Sequence, residues 1–156
     1  MRIALCSDEV YPVHELIEQA LLARGHEVQR FGALGTRLEE PWALVAEEAA
    51  LAVASNVCQE GIFFCWSGTG ISIGANKVPG IRAALCTDAG TARAARLYNH
   101  ANVLCLSNRL LSADLAKEIL EAWFEPYARE RGAAGVADLL AVEARHAARH
   151  GGATGR

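Results

Sequence analysis

The sequence predicts an α/β protein with a five-stranded parallel sheet and helices on both of its faces. Short apolar runs alternate with longer helix-forming segments along most of the chain. The apolar runs show no polar–apolar alternation, which is the pattern of strands that are buried on both faces. Polar residues follow several of these runs, and in a parallel sheet such residues gather at one edge, where sites are built.

Five apolar segments are predicted as strands. In chain order they are Arg2–Cys6, Glu27–Phe31, Gly61–Trp66, Ile81–Cys86 and Asn102–Leu106. The segments between and after them are predicted as helices: Pro12–Ala23, Pro41–Ala54, Ile71–Lys77, Thr91–Tyr98, Ala113–Phe124 and Gly132–His146.

Local start and stop signals support the helix assignments. Pro12 suits the first turn of a helix, and Gly25 is a suitable residue directly after its end. Ser112 is a typical N-cap residue. The stretch Thr36–Glu40 is predicted as a loop. We expect one domain over residues 1–150, with its C-terminal helix from about residue 132, and a flexible tail over residues 151–156.

Composition excludes several classes of partner. With 156 residues the chain is long enough for one domain with its own core. Its net charge of −3 gives no electrostatic footprint for nucleic acid or an anionic membrane surface, and no apolar run approaches the roughly 18 residues of a membrane span. Five scattered cysteines without zinc-ligand spacing predict reduced thiols, no metal and a cytoplasmic location.

The stretch from Gly61 to Lys77 is the most informative part of the chain, because an apolar strand leads through a glycine turn into a helix. Three interpretations are open. The glycines could bind a dinucleotide, but their spacing differs from G-x-G-x-x-G. Cys65 could be a small buried hydrophobe beside a tight turn. The interpretation we favour is an anion-stabilising active-site loop in which Cys65 or Ser67 takes part, because helix N-terminal amides converge there.

Other chemically capable residues follow the remaining strands and support the third interpretation. If the sheet is parallel, they lie at the same edge as Cys65. They are Ser7, Asp8, Glu9, Thr87, Asp88, Ser107, Asn108 and Arg109.

Over roughly residues 1–125 the chain resembles the ribose-5-phosphate isomerase B and galactose-6-phosphate isomerase family. The motifs that carry the resemblance are Asp8, Cys65-x-Ser67-Gly68-x-Gly70, Ala75-Asn76-Lys77-x-Pro79-Gly80-Ile81-Arg82-Ala83 and Tyr98-Asn99-x-x-Asn102. The resemblance implies a Rossmann-like three-layer α/β/α sandwich without a cofactor. It also implies a homodimer or tetramer whose sites lie at the subunit interface.

The resemblance further implies aldose–ketose isomerisation of a sugar or sugar phosphate through a cis-enediolate. Cys65 would be the base, and Ser67 would assist at the sugar oxygens. The loop amides from Trp66 to Gly70, including those of Gly68 and Thr69, would form the oxyanion hole. Asp8 would act at the ring hydroxyls, and Asn99 would bind substrate.

The chain departs from the family at several positions. Glu9 replaces a histidine that contacts phosphate, and Tyr98 replaces the ring-opening histidine. Trp66 replaces a glycine after the cysteine and offers an apolar face for a sugar. Arg131 matches one of two phosphate arginines, while Gly135 stands at the other's place.

We predict Tyr98 as a catalytic residue, in addition to Cys65, Ser67 and Asp8. The predicted substrate-binding residues are Glu9, Trp66, Gly68, Thr69, Gly70, Asn99, Arg109 and Arg131. Because family phosphate contacts are altered, the substrate is either a free sugar or a sugar phosphate held differently. The alternative function is a non-catalytic protein that binds a sugar or metabolite on the same scaffold.

Overall fold

The computed structural model describes the backbone of residues 1–151 and the side chains of residues 1–147. Residues 152–156 of the predicted tail lie outside the described residues. The strands are β1 Arg2–Ser7, β2 Glu27–Gly32, β3 Glu60–Cys65, β4 Ala83–Leu85 and β5 Val103–Ser107. The helices are α1 Pro12–Ala23, α2 Ala33–Thr36, α3 Trp42–Ala54, α4 Thr69–Ala75, α5 Ala89–Asn99, α6 Ala113–Phe124 and α7 Ala133–Gly151, with a 3₁₀ turn at Arg129–Arg131.

The strands form one parallel sheet in the order β2-β1-β3-β5-β4. Residues on the central strands alternate between two cores on opposite faces of the sheet. On β3, for example, Phe64 joins the core that α1, α5 and α6 cover, whereas Phe63 and Cys65 join the core under α3 and α4. The predicted three-layer α/β/α fold with five parallel strands is therefore confirmed.

The helix ends follow the local signals in the sequence. Tyr11 is the N-cap of α1, Pro12 is its first residue, and Gly25 after the helix has a φ of 77°. The Ser112 side chain accepts a hydrogen bond from the Leu115 amide at the start of α6. Both helices have the bounds that the sequence predicts.

Besides shifts at the ends of α4, α5 and α7, two elements differ from the prediction. Residues Ala33–Thr36 form the short helix α2 directly after β2. Strand β4 covers only Ala83–Leu85, and two backbone amides at its start donate to side chains. The Arg82 amide donates to Asn102 Oδ1, and the Ala83 amide donates to Asn76 Oδ1.

The strand order places a topological switch between β1 and β3, since the chain leaves β1 toward β2 and then returns to the other side of β1. Ligand sites in open α/β sheets lie at the carboxyl ends of the strands at such a point. Here those ends lead into Asp8 and Trp66.

Helix α5 takes the chain away from that edge. It begins after Asp88, near the carboxyl edge of the sheet, and its 11 residues rise about 16 Å toward the opposite edge. Tyr98 and Asn99 lie in its last turn.

In the described part of the chain no helix is both long enough and apolar enough to span a bilayer.

Candidate active site

Cys65 is the last residue of β3 and lies at the switch point, where only 5% of its surface is exposed. The backbone after it is tied to the end of β5. The Asn108 amide donates to the Cys65 carbonyl at 3.0 Å, and the Arg109 amide donates to the Trp66 carbonyl at 3.0 Å. The loop that follows Cys65 is therefore anchored to the neighbouring strand end.

Gly68 makes the turn from the Cys65 loop into α4. It has a φ of 76°, in the left-handed region, and it is the N-cap residue of the helix. A Cβ at this position would lie 2.5 Å from Leu85 Cδ1 and 3.0 Å from the Leu106 carbonyl carbon. Both the backbone conformation and the close packing require glycine.

The hydroxyls of Ser67 and Thr69 lie at the mouth of this turn, 2.6 Å apart. The Thr69 amide also donates weakly to Ser67 Oγ, at 3.4 Å. At Gly70 an added Cβ would meet the Trp42 ring at 3.1 Å, so α4 packs closely against α3. The turn presents hydroxyl groups and amide donors from neighbouring residues, which suits a developing negative charge.

Asp8 follows β1 on the other side of the switch point. Its Oδ1 atom is buried and has no hydrogen-bond partner in the structure. Burial, with a smaller contribution from the nearby Glu9 carboxylate, raises the pKa of Asp8 above its ordinary value. An unpartnered carboxylate oxygen of this kind can accept a hydrogen bond from a ligand hydroxyl.

Glu9 and Tyr11 form a pair on the rim of this edge. The Tyr11 hydroxyl donates to Glu9 Oε2 at 2.6 Å. This bond, together with a smaller effect of burial, raises the pKa of Tyr11 above its ordinary value. The Glu9 carboxylate is thereby directed toward the start of α1.

Trp66 and Arg109 form a second pair on the rim. Trp66 is 56% exposed, and Arg109 Cζ lies 5.0 Å from the centre of the indole ring. The Trp66 carbonyl accepts from Ser107 Oγ at 2.9 Å as well as from the Arg109 amide. An aromatic face and a guanidinium are thus held together next to Cys65.

Three predicted site residues lie away from this edge, at the end of α5. Arg131 Nη2 donates to the Tyr98 hydroxyl at 3.4 Å, and its guanidinium carbon lies 5.5 Å from the Tyr98 ring centre. Asn99 is the last residue of the same helix and is exposed. His100 follows with a φ of 45°, and its Nε2 lies 2.9 Å from the Arg129 carbonyl oxygen. Within one chain the structure does not bring this group to Cys65.

A buried polar network lies beneath the site; its members Ser7 and Asn108 were predicted at this edge, whereas His14 was not. His14 on α1 is 3% exposed, and its Nε2 lies 2.7 Å from Asn108 Oδ1. Asn108 Nδ2 in turn lies 3.4 Å from Ser7 Oγ. A usable signal was present, because His14 shares the helix face of Ile17 and Leu21, which are both buried.

Among the residues that the structure describes, no three His, Cys, Asp or Glu side chains gather in a way that would hold a metal ion. The five cysteines of the chain are all buried and free. The candidate site offers a ligand one thiol, hydroxyl groups, carboxylates and backbone amides, with an indole ring and a guanidinium on its rim.

Comparison with known proteins identifies the family. The sequence model described as Ribose/Galactose Isomerase matches residues 3–139. Ribose-5-phosphate isomerase B of Escherichia coli is 40% identical over 111 residues, which are 70% of this chain and 72% of that protein. The galactose-6-phosphate isomerase subunit LacB of Clostridium acetobutylicum is 37% identical over 127 residues, which are 80% of this chain and 72% of that protein.

A solved structure agrees with these matches. Ribose-5-phosphate isomerase B of Clostridium thermocellum superposes with a TM-score of 0.86 at 38% identity, covering 94% of this chain and 99% of that one. The family match spans both the Cys65 edge and the end of α5. The chain therefore belongs to the ribose/galactose isomerase family, and it is an enzyme of the aldose–ketose isomerase class.

Proposed function

We propose that Cys65 is the base of an isomerisation that proceeds through a cis-enediolate. The observation that carries the proposal is the position of Cys65, at the end of β3 and directly before a turn of hydroxyl and amide groups. The cysteine belongs to the family motif quoted above, and it lies across the switch point from a carboxylate with an unpartnered oxygen.

In the proposed reaction the Cys65 thiolate removes the proton from C2 of the open-chain aldose. The electron pair forms the C1–C2 double bond, and negative charge develops on O1. The amides between Trp66 and Gly70 stabilise this charge as preorganised donors. The O2 proton passes to O1 with the help of Ser67, and the thiol returns its proton to C1 to give the ketose.

Asp8 binds the substrate in this proposal. Its buried Oδ1 is free to accept a hydrogen bond from a sugar hydroxyl. An unmade bond at a buried carboxylate is costly, and a ligand hydroxyl would relieve that cost. Trp66 provides an apolar surface beside the reacting carbons, with Arg109 stacked on it.

We further propose that the second half of the site comes from another copy of the chain in a homodimer or tetramer. Tyr98, Asn99 and Arg131 lie at the end of α5, remote from Cys65 in their own subunit. A two-fold interface that joins one copy's α5 end to the other copy's Cys65 edge would make two equal sites. Tyr98 would then serve ring opening, and Asn99 and Arg131 would bind the substrate.

For the substrate we propose a sugar phosphate. The relatives described above are named for ribose 5-phosphate and galactose 6-phosphate. Glu9 would repel a phosphate at the family position, so the phosphate would have to be met by Arg131 and Arg109 instead. A free sugar is the other outcome of the test.

The five free cysteines support a cytoplasmic location as part of the same proposal.

The test is deuterium incorporation in D₂O, followed by NMR, with pentoses, hexoses and their 5- and 6-phosphates. We expect exchange at C2 of one aldose phosphate and formation of its ketose. Cys65→Ala should lower the rate by about 10²–10⁴-fold, the usual contribution of a general base. Cys58→Ala is the matched control, because Cys58 is also buried but lies two residues before the start of β3, whereas Cys65 is at its end.

The outcomes separate the parts of the proposal. Exchange only with free sugars would reject the phosphate assignment and retain the chemistry. Equal rates for Cys65→Ala and Cys58→Ala would reject Cys65 as the base.

A further inference from the structure

Beneath the site, the segments that carry Asp8 and Cys65 are both bonded to Asn108. Asn108 lies directly after β5 and is 8% exposed. Its backbone amide donates to the Cys65 carbonyl, and its carboxamide nitrogen lies 3.4 Å from Ser7 Oγ, one residue before Asp8. Asn108 is therefore in contact with both loops at once.

His14 fixes the orientation of the Asn108 carboxamide. The Tyr11 amide donates to His14 Nδ1 at 3.1 Å, so this nitrogen is an acceptor and carries no proton. In the neutral ring the proton is then on Nε2, which donates to Asn108 Oδ1 at 2.7 Å. With Oδ1 occupied in this way, the carboxamide nitrogen faces Ser7.

The ring of His14 is held in place on its other sides as well. Its centre lies 4.5 Å from that of Phe64, the strand residue before Cys65, and 5.8 Å from that of Tyr11. Burial lowers the pKa of His14 below its ordinary value, which favours the neutral ring that this hydrogen-bond pattern requires. A buried polar group whose bonds are all made is rigid, and it specifies one arrangement of its neighbours.

We propose that His14 and Asn108 are positioning residues that set the placement of the Cys65 loop relative to Asp8. Neither residue needs to touch the substrate. Because catalysis depends on the position of the base to within about 1 Å, loss of the link should lower kcat more than it raises KM. The inference rests on the proposed role of Cys65, and its test therefore includes a measurement that does not depend on activity.

Two substitutions of His14 separate its bond to Asn108, the link, from its bond to the amide of the N-cap residue Tyr11, the cap. Gln in place of His14 presents an amide N–H near the position of Nε2, so His14→Gln keeps the bond to Asn108 and loses the acceptor for Tyr11. Asn presents its oxygen near the position of Nδ1, so His14→Asn keeps the acceptor for Tyr11 and loses the bond to Asn108. Both variants replace the imidazole ring with an open-chain carboxamide, so they make a matched pair.

The kinetic expectation follows from this pairing. For His14→Asn we expect kcat to fall by about tenfold or more, with KM changed by less than about threefold. For His14→Gln we expect kcat within about threefold of the wild type despite a lower melting temperature from the lost cap. A role limited to capping or core packing predicts the reverse order or equal losses, and either result would overturn the proposal.

Amide NMR spectra provide the measurement that is independent of turnover. His14→Asn should shift the resonances of Trp66–Gly70 and of Asp8, whereas His14→Gln should shift mainly those at the start of α1. If the spectra change as expected but no sugar is isomerised, the positioning network stands and the proposed function fails.

Asn108→Ala provides a second route if His14→Asn does not fold. It keeps the backbone amide that bonds Cys65 and removes only the carboxamide. We expect the same fall in kcat as for His14→Asn. The double variant, which combines His14→Asn with Asn108→Ala, should lose little more, since both changes break the same bond between these residues. Wild-type kcat in Asn108→Ala, or fully additive losses in the double variant, would overturn the proposal.

Discussion

The Cys65 edge and the end of α5 carry predicted site residues of the same reaction, yet they are built differently. At the Cys65 edge the thiol is buried, the turn at Gly68 admits only glycine, and the backbone is tied to β5. At the end of α5, Tyr98 is 47% exposed, and its hydrogen bond to Arg131 is long, at 3.4 Å. The first region is preorganised by the fold of one chain, whereas the second is more exposed, as the proposed two-subunit site requires.

This contrast leads to an expectation about mutations. Changes at the Cys65 edge should affect both stability and activity, because the same close contacts serve both. Changes at Tyr98 or Arg131 should affect activity alone, since few contacts within the chain depend on them. The following substitutions test that separation.

Gly68→Ala should have the largest effect on stability. The positive φ costs about 1–2 kcal/mol for a residue with a Cβ, and the clash with Leu85 and Leu106 adds about 1–3 kcal/mol. Gly25→Ala is the matched control, because Gly25 has a φ of +77° but nothing within 4 Å of an added Cβ. Urea unfolding of both variants measures the difference, and equal losses would show that the packing at Gly68 is not tight.

Arg131→Ala should lower activity and leave stability unchanged. A hydrogen bond to a charged group is worth about 1.5–3 kcal/mol, which corresponds to a loss of roughly 10- to 150-fold in kcat/KM. The melting temperature should stay close to that of the wild type, because Arg131 is exposed. Steady-state kinetics and thermal unfolding of the same preparation check both halves of this prediction. A variant that loses stability but not activity would contradict the assignment of Arg131.

Asp8→Asn should reduce activity and raise the melting temperature at pH 7. Burial raises the pKa of Asp8 above 3.8, so the folded state binds its proton more tightly than the unfolded chain does. The ionised carboxylate therefore weakens the fold at neutral pH. The gain in the variant should shrink as the pH falls through the raised pKa toward 3.8. Thermal unfolding across this pH range provides the measurement, and a lower melting temperature at pH 7 would contradict the account.

The smallest expected effect is a pH dependence of stability that comes from His14. Its pKa is lowered by burial, so the unfolded chain binds the proton more readily. The stability that His14 contributes is present above about pH 6.5 and is lost as the pH falls toward the lowered value. The wild type should lose stability more steeply than His14→Gln over this window. All other titratable groups are common to the two proteins, so the difference between their slopes reports His14, and equal slopes would contradict the prediction.

Much of the fold could be predicted because its signals are local. Pro12 and Gly25 delimit α1, and Ser112 starts α6. Helix α2 was missed because its four residues include Gly35 and follow Gly32, a composition typical of loops. The short length of β4 has no local signal, and the backbone amides at its start donate to Asn102 and Asn76, whose positions are set by tertiary structure.

The two halves of the site differ in the same respect. Asp8 and Cys65 could be assigned to one edge, since the ends of parallel strands lie together. The contact of Tyr98 with Arg131 joins residues 33 positions apart and follows no periodicity. The bond between His14 and Asn108 spans 94 positions, and it depends on the packing of α1 against α6 and β2. Such contacts are set by tertiary structure and not by local sequence.

The most direct test of the two-subunit site is complementation between Cys65→Ala and Arg131→Ala. The two variants are co-expressed with different tags, and mixed oligomers are purified through both tags. In a mixed dimer one site keeps Cys65 from one copy and Arg131 from the other, so we expect recovery of about half of the wild-type activity per dimer. If mixed dimers stay as inactive as the single variants, the two residues do not meet across an interface, and the two-subunit site is wrong.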